Sequence, residues 1–389
     1  MLSTLPTTQW NYPTSIQVGS GQIDYLSESC KKLGMTAPLL VTDPGLAESS
    51  MVRDAAQQCR DADLNCDIFS AIKGNPTGSN IEAGVTHFRQ GEHDGVIAFG
   101  GGSALDAGKA IALMSGQKQS LWAFEDEGDN WQKVDVQGIA PIIAVPTTAG
   151  TGSEVGRASV IIDEASEVKK IIFHPKMLPG IVILDPQLTV SLPKTLTAAT
   201  GMDALSHNLE ALCAPGYHPM ANGIAMEGIR LIKHNLEDAC RDGSNLNARL
   251  NMLVASSMGA TAFQKGLGAM HALAHPLGAL YDAHHGLLNA VLMPYVLVVN
   301  KTAIEPTIAD LAQFIGLPNP SFNSFLDWVI TLRADIGIPH TLAEIGIDGD
   351  QLQRVAEMAV LDSTAGSNPI IFSIEEYHTL VSNALNGNL

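Results

Sequence analysis

Along the first half of the chain, short apolar runs alternate with stretches whose apolar residues recur every three or four positions. APLLVTD (37–43), NCDIFSA (65–71), DGVIAFG (94–100) and PIIAVPT (141–147) are rich in Ile and Val and bounded by Gly, Pro or Asp. That is the pattern of strands buried on both faces. Helical periodicity fills 50–62, 79–91 and 103–115 between them. Buried strands separated by helices need crossover connections, which predicts a mainly parallel sheet in an α/β domain. KKIIFHP (169–175) and GIVILDP (180–186) add two strands, and the strand signal then stops. From Leu196 onward the pattern is helical, over 196–213, 220–241, 244–262, 266–280, 286–300, 305–315, 321–335, 350–361 and 373–386. Two domains follow: an α/β domain over 1–190 and an all-helical domain over 191–389, with the change near 187–195.

Composition narrows the function classes. The 389 residues carry 22 basic and 40 acidic side chains, a formal charge of −18, which argues against nucleic acid or an anionic membrane surface as the main partner. With 46% hydrophobic and 16% charged residues the chain can bury a large core. No run approaches ~18 consecutive apolar residues, so no segment is expected to span a bilayer. The opening MLSTLPTTQWNYPTSIQVG lacks the basic and apolar regions of a signal peptide. Five cysteines without CxxC spacing fit reduced thiols and a cytoplasmic location.

Two segments carry nucleotide chemistry. In DGVIAFGGGSALDAGKAIAL a buried strand runs into Gly100, Gly101 and Gly102, then Ser103 opens a helix. Glycines let backbone N–H groups approach a phosphate, and a helix N-terminus adds a favourable dipole; the competing possibility is a tight structural turn capped by Ser103. Asp43 closes the first strand, where a carboxylate can accept from an adenosine ribose and repel a 2′-phosphate, favouring NAD over NADP; it equally suits an ordinary turn before Pro44. The turn PTTAGTGSEVG (146–156) offers Thr147, Thr148 and Thr151 to a second phosphate or to the nicotinamide end; the alternative is a polar loop that satisfies itself.

Two other segments carry metal chemistry. GMDALSHNLEAL sets Asp203 and His207 at i, i+4, on one helix face. GLGAMHALAHPLGALYDAHHG sets His271 and His275 at the same spacing, with His284 and His285 beyond. Such groups in apolar helices are costly unless paired, and a divalent metal takes carboxylate and imidazole together. Without a thiolate, the donors suit Fe(II) and also accept Zn(II), Mn(II) or Co(II).

Taken together, GGGSALDAGKA (100–110), VPTTAGTGSE (145–154), GMDALSH (201–207), GLGAMHALAHPLGA (266–279) and HGLLNAVLMP (285–294) resemble the iron-containing (group III) alcohol dehydrogenases over nearly the whole chain. The resemblance implies an N-terminal dinucleotide-binding domain, an all-helical domain, and a cleft holding NAD(P) and metal. By position it implies Asp203, His207, His271 and His285 as metal ligands, His285 being chosen over His284 because it directly precedes glycine. His275 would be the catalytic proton-relay residue. Cofactor positions would be Asp43, Asn75, Gly100, Gly101, Gly102, Ser103, Asp106, Thr147, Thr148, Thr151 and Lys169, with Lys170 the alternative to Lys169. The implied reaction is oxidation of a small primary alcohol, or reduction of its aldehyde, by a homodimer or larger assembly. A cyclising lyase resembling dehydroquinate synthase is the second possibility, disfavoured by the scarcity of Lys and Arg near the metal motifs; a non-catalytic binding scaffold is the third.

Three departures stand out: Gly156-Arg157 where a threonine is common, Asn368-Pro369-Ile370 where Asn-Pro-Arg is common, and Lys265 just upstream of His271. Lys265 either faces an anionic substrate tail or is a solvated helix-end residue.

Overall fold

A computed structural model describes Tyr12 and residues 14–389 apart from Glu167; the leaderless opening expected above falls largely outside these residues. The described residues divide into two compact units, one within Pro13–Leu192 and the other spanning Pro193–Leu389.

The first unit is an α/β layer structure. Its strands are β1 (Ser15–Val18), β2 (Pro38–Val41), β3 (Asp67–Phe69), β4 (Gly95–Gly100), β5 (Ile142–Pro146), β6 (Ala158–Asp163), β7 (Val168–Phe173) and β8 (Ile181–Leu184). Six form one sheet in the order β1-β8-β5-β4-β2-β3, every pairing parallel. Its helices are α1 (Leu26–Lys32), α2 (Pro44–Ala47), α3 (Ser50–Asp61), α4 (Gly78–Gln90) and α5 (Gly102–Met114). Alternation along the central strands feeds two cores. Leu39, Val41 and Val96 pack with α4 and α5 on one face, whereas Leu40, Ile97 and Phe99 pack with α1 and α3 on the other. Chain direction across the sheet reverses between β2 and β4, so the turns after these strands flank the switch point, where such sheets take ligands.

Three strands differ from expectation. The strand at 169–175 does not join the parallel sheet; β7 pairs antiparallel with β6, a strand the sequence pattern had not revealed. The edge strand β1 was also missed, because SIQV is short and only half-buried, with no continuous apolar run.

The second unit is all helical: α6 (Lys194–Cys213), α7 (Pro219–Arg241), α8 (Leu246–Ala262), α9 (Ala269–Tyr281), α10 (His285–Phe314), α11 (Phe322–Ile336), α12 (Leu352–Leu361) and α13 (Ile374–Asn386). α6 is its centre, buried continuously from Thr197 to Leu212 and packed by α7, α8 and α10. The stretches 286–300 and 305–315 are one helix, α10, which runs through both Pro294 and Pro306. By length and composition α10 is the one described helix that could cross a membrane, but 67% of its apolar window is buried inside the unit, as in a core helix.

Candidate functional site

The glycine turn after β4 draws most of the expected nucleotide residues together. Gly100 has φ +147, a conformation that L side chains rarely adopt, and a Cβ there would lie 3.3 Å from the Asp43 carboxylate. Cβ atoms on Gly101 and Gly102 would lie 3.5 Å from Thr148 and 2.6 Å from Thr151. The turn is therefore bare because Asp43, Thr148 and Thr151 crowd its rim. α5 begins at Gly102 with no side chain capping its first turn. Ser103 does not cap that helix, as the structural alternative required; its hydroxyl donates to the carbonyl of Gly74, beside Asn75. Asp43 instead caps α2, accepting from the Leu46 amide at 3.1 Å. Thr147 is buried, and its amide donates to Gly100 at 2.9 Å.

Asp106 is engaged elsewhere. Its carboxylate accepts from the Ser153 hydroxyl and the Val160 amide and lies 3.2 Å from the Lys109 ammonium, tying α5 to β6 and to the threonine turn. On β7, Lys170 pairs with Glu125 at 2.9 Å and Asp163 at 3.4 Å; strand alternation sets Lys169 on the opposite face of the ribbon. Gly156 lies against the Lys109 ammonium, and Arg157 sits over the Phe173 ring.

In the helical unit, one donor atom from each of Asp203, His207, His271 and His285 lies within 4.8 Å of the other three. Asp203 and His207 come from the buried middle of α6, His271 from the first turn of α9, and His285 is the first residue of α10. Helix spacing alone could not bring these three helices together; small residues do. A Cβ on Gly286 would meet the Ala199 carbonyl at 2.6 Å and Asp203 Cβ at 3.0 Å, so glycine after His285 lets α10 touch the α6 backbone. His284, the alternative ligand, caps α10 by accepting from the Leu287 amide at 3.4 Å.

Electrostatics suit a cation. Burial pushes the Asp203 carboxyl upward, but the surrounding His207, His285 and His271 outweigh it and hold the group at about 2. Burial and the neighbouring His207 keep His271 neutral, well below the usual histidine range. Its Nδ1 lies 2.7 Å from Glu210 Oε2, so Nδ1 carries the proton and Nε2 presents its lone pair.

Glu210 was missed by the sequence reading, although an acid three residues past His207 in an apolar helix is itself a signal. Its carboxylate also accepts from the amides of Gly268 at 2.8 Å and Met270 at 2.7 Å, while Asn368 accepts from the Ala269 amide at 3.1 Å. α9 has no cap of its own, and these two remote residues supply it. Burial pushes the Glu210 carboxyl up to about 7 against those amides. Asn289, one turn after His285, was also missed. Its Nδ2 is 2.9 Å from Asp203 Oδ1 and 3.2 Å from Nε2 of both His271 and His285, and its own Oδ1 is buried without a partner.

His275 stands beside the cluster, its ring stacked on His285 at 5.4 Å, with Nδ1 2.8 Å from Asp362 Oδ2. Asp362 is 87 residues away and had no local signal. The Lys265 ammonium is committed to the Leu212 carbonyl at 3.0 Å and Asn222 Oδ1 at 2.8 Å, fastening the end of α6 to α7.

A parallel sheet with a bare glycine turn, and helices converging three imidazoles and a carboxylate, suit an enzyme that works with a dinucleotide and a metal. Comparison with known proteins gives the family. The model for iron-containing alcohol dehydrogenases matches residues 13–186, and that for the C-terminal part of the Fe-containing alcohol dehydrogenase family matches 197–385. A 4-hydroxybutyrate dehydrogenase of Cupriavidus necator is 38% identical over 96% of this chain and 99% of its own. An NAD-dependent methanol dehydrogenase of Bacillus methanolicus is 32% identical over 97% of this chain and 100% of its own. The crystal structure of a 1,3-propanediol oxidoreductase superposes with a TM-score of 0.92 at 36% identity, covering 97% of this chain and 100% of the other. The chain belongs to the iron-containing alcohol dehydrogenase family and is an oxidoreductase.

Proposed function

We propose that the protein reversibly oxidises a short primary alcohol or diol to its aldehyde with NAD, with Asp203, His207, His271 and His285 holding iron(II). The observation that carries this is the set of four donor atoms within 4.8 Å, three of them on buried residues, with Glu210 fixing the tautomer of His271. Three imidazoles and one ionised carboxylate fit iron(II), and accept zinc(II) as well. Bound there, the metal supplies Lewis acidity to a substrate hydroxyl, and NAD supplies the hydride acceptor.

The chain's own residues do the rest. Asp203 brings the negative charge, and Asn289 donates to it, orienting the carboxylate. Asp362 accepts from His275 Nδ1–H, which leaves Nε2 to take the proton that the alcohol loses. In the α/β unit, the amides opening α5 suit a pyrophosphate, and the hydroxyls of Ser103, Thr147, Thr148 and Thr151 with Asn75 and Lys169 complete the surround. Asp106 contributes by bracing the threonine turn. The Asp43 carboxylate beside Gly100 supports NAD over NADP, because it repels a 2′-phosphate. The three relatives named above act on 4-hydroxybutyrate, methanol and 1,3-propanediol, which sets the substrate range to try first.

A cytoplasmic homodimer belongs to the same proposal. Five free cysteines support the reducing compartment, and sedimentation of the purified protein reads the oligomer. The central test is anaerobic reconstitution with Fe(II), following NADH absorbance against these three alcohols. NADH formation that chelator abolishes and Fe(II) restores is the expected result. Silence with every alcohol and aldehyde, despite measurable binding of NAD and metal, rejects the proposal.

A further inference from the structure

Among the described residues a second group of potential ligands lies in the α/β unit, away from the glycine turn. One donor atom from each of Asp67, His87 and His93 lies within 4.8 Å of the other two. Asp67 opens the edge strand β3, His87 lies in the last turn of α4, and His93 follows that helix just before β4. We propose that these three residues form a second divalent-cation site, for a borderline ion of the zinc(II) class, that staples the sheet edge to α4.

The key residue is His93. Its Nδ1 is 3.0 Å from the Ala37 carbonyl, and a carbonyl can only accept, so Nδ1 carries the proton. Nε2 therefore presents a lone pair, yet this atom is buried, in a residue only 7% exposed, and has no hydrogen-bond partner. Leaving such an acceptor unmet is a cost to the folded state that a bound cation removes. The same Nδ1 bond is how metal-ligating histidines are held in orientation.

Space has been left at that nitrogen. A Cβ on Gly91 would come within 2.4 Å of His93 Nε2, so only glycine admits it. Gly91 is the residue that ends α4, four after His87, which puts Nε2 beside the end of the helix that carries the other imidazole. The two rings are parallel to within 6°, their centroids 6.0 Å apart. The C-terminal end of α4 adds the negative end of a helix dipole.

A plain ion pair accounts for part of the cluster: His87 Nε2 is 2.9 Å from Asp67 Oδ2, while Asp67 Oδ1 accepts from the Ile68 amide at 2.9 Å. It leaves His93 Nε2 unmet. A cation in place of the proton between His87 and Asp67 satisfies all three donors, with that proton moving to His87 Nδ1 or, from an imidazolium, to water. Two nitrogens and one oxygen leave positions for water, a set that suits zinc(II) or its neighbours better than magnesium or calcium. This site is independent of the one proposed for iron.

Equilibrium dialysis of the full chain against zinc(II), with metal counted per chain, tests it. Side chains 37% and 61% exposed make His87→Ala and Asp67→Asn safe to fold. Wild type is expected to hold two zinc ions, His87→Ala and His271→Ala one each, and the double variant none. In the His271→Ala background, zinc should raise the melting temperature, and adding His87→Ala should remove that rise. Alcohol turnover of His87→Ala is expected to stay at the wild-type level. Equal zinc counts in wild type, His87→Ala and Asp67→Asn overturn the proposal. A wild-type count that falls only in His271→Ala overturns it too, while leaving the first site standing.

Discussion

Glu210 touches no expected donor atom of the metal cluster except through the far nitrogen of His271, yet it holds that imidazole and two amides of α9 at once. Glu210→Gln keeps the shape but removes the charge and one acceptor. It is expected to weaken metal binding ~10–100-fold, as losses behind a ligand typically do, read by competition with a chelator of known affinity. Gly286 matters for a different reason, because a methyl there would meet the Ala199 carbonyl at 2.6 Å, and backbone cannot swing aside. Gly286→Ala should cost about 1–3 kcal/mol and displace His285 from Asp203, so melting temperature and metal affinity fall together. Asp203, His207 and His271 stood out locally through i, i+4 pairs in an apolar background, whereas His285 was set apart from His284 only by the family resemblance, and the four donors do converge. Glu210 and Asn289 sit within a turn of expected ligands but serve partners on other helices, and Asp362, 87 residues from His275, has no local pattern to record it.

Among the elements, the central strands were legible because burial on both faces forces continuous apolar runs, as in GVIAFG of β4. β1 and β6 were not, since one is a half-buried edge and the other alternates in a short ribbon outside the sheet. α10 was read as two helices because proline removes an amide donor and usually ends a helix. Here the surrounding helices hold the segment straight through, with Ile304 and Ile308 buried on either side of Pro306. The start of β2 has a pH-sensitive fastening. Burial works upward on the Asp94 carboxyl, but the Thr36 hydroxyl and the Thr36 and Ala37 amides at 2.6–2.8 Å outweigh it and hold it below the usual range. A depressed folded value stabilises above the unfolded value and fades as pH falls through the folded one. Asp94→Asn should therefore melt lower than wild type at pH 7, with the gap closing in strong acid, measured as melting temperature against pH.

For the molecule as a whole, all four donors lie within the unit Pro193–Leu389 and none in Pro13–Leu192. Iron at 1,000 times its dissociation constant adds about 4 kcal/mol to whatever folds around it. Calorimetry of His87→Ala, loaded with Fe(II) and stripped, should show the gain confined to unfolding of the helical unit; an equal gain after adding Asp203→Ala would contradict that. The division into an α/β part and a helical part was legible because the buried apolar runs of the strands stop close to residue 190 and only helical periodicity follows. The cap on α9 has a bearing on synthesis. Its first amides are met by Glu210, 58 and 60 residues upstream, and by Asn368, 99 residues downstream of Ala269. A nascent chain still short of Asn368 leaves the Ala269 amide unmet, so the turn that presents His271 becomes firm only late in translation. Ribosome-bound chains halted before that residue should be cut by protease near 264–270, and chains halted well beyond it should resist.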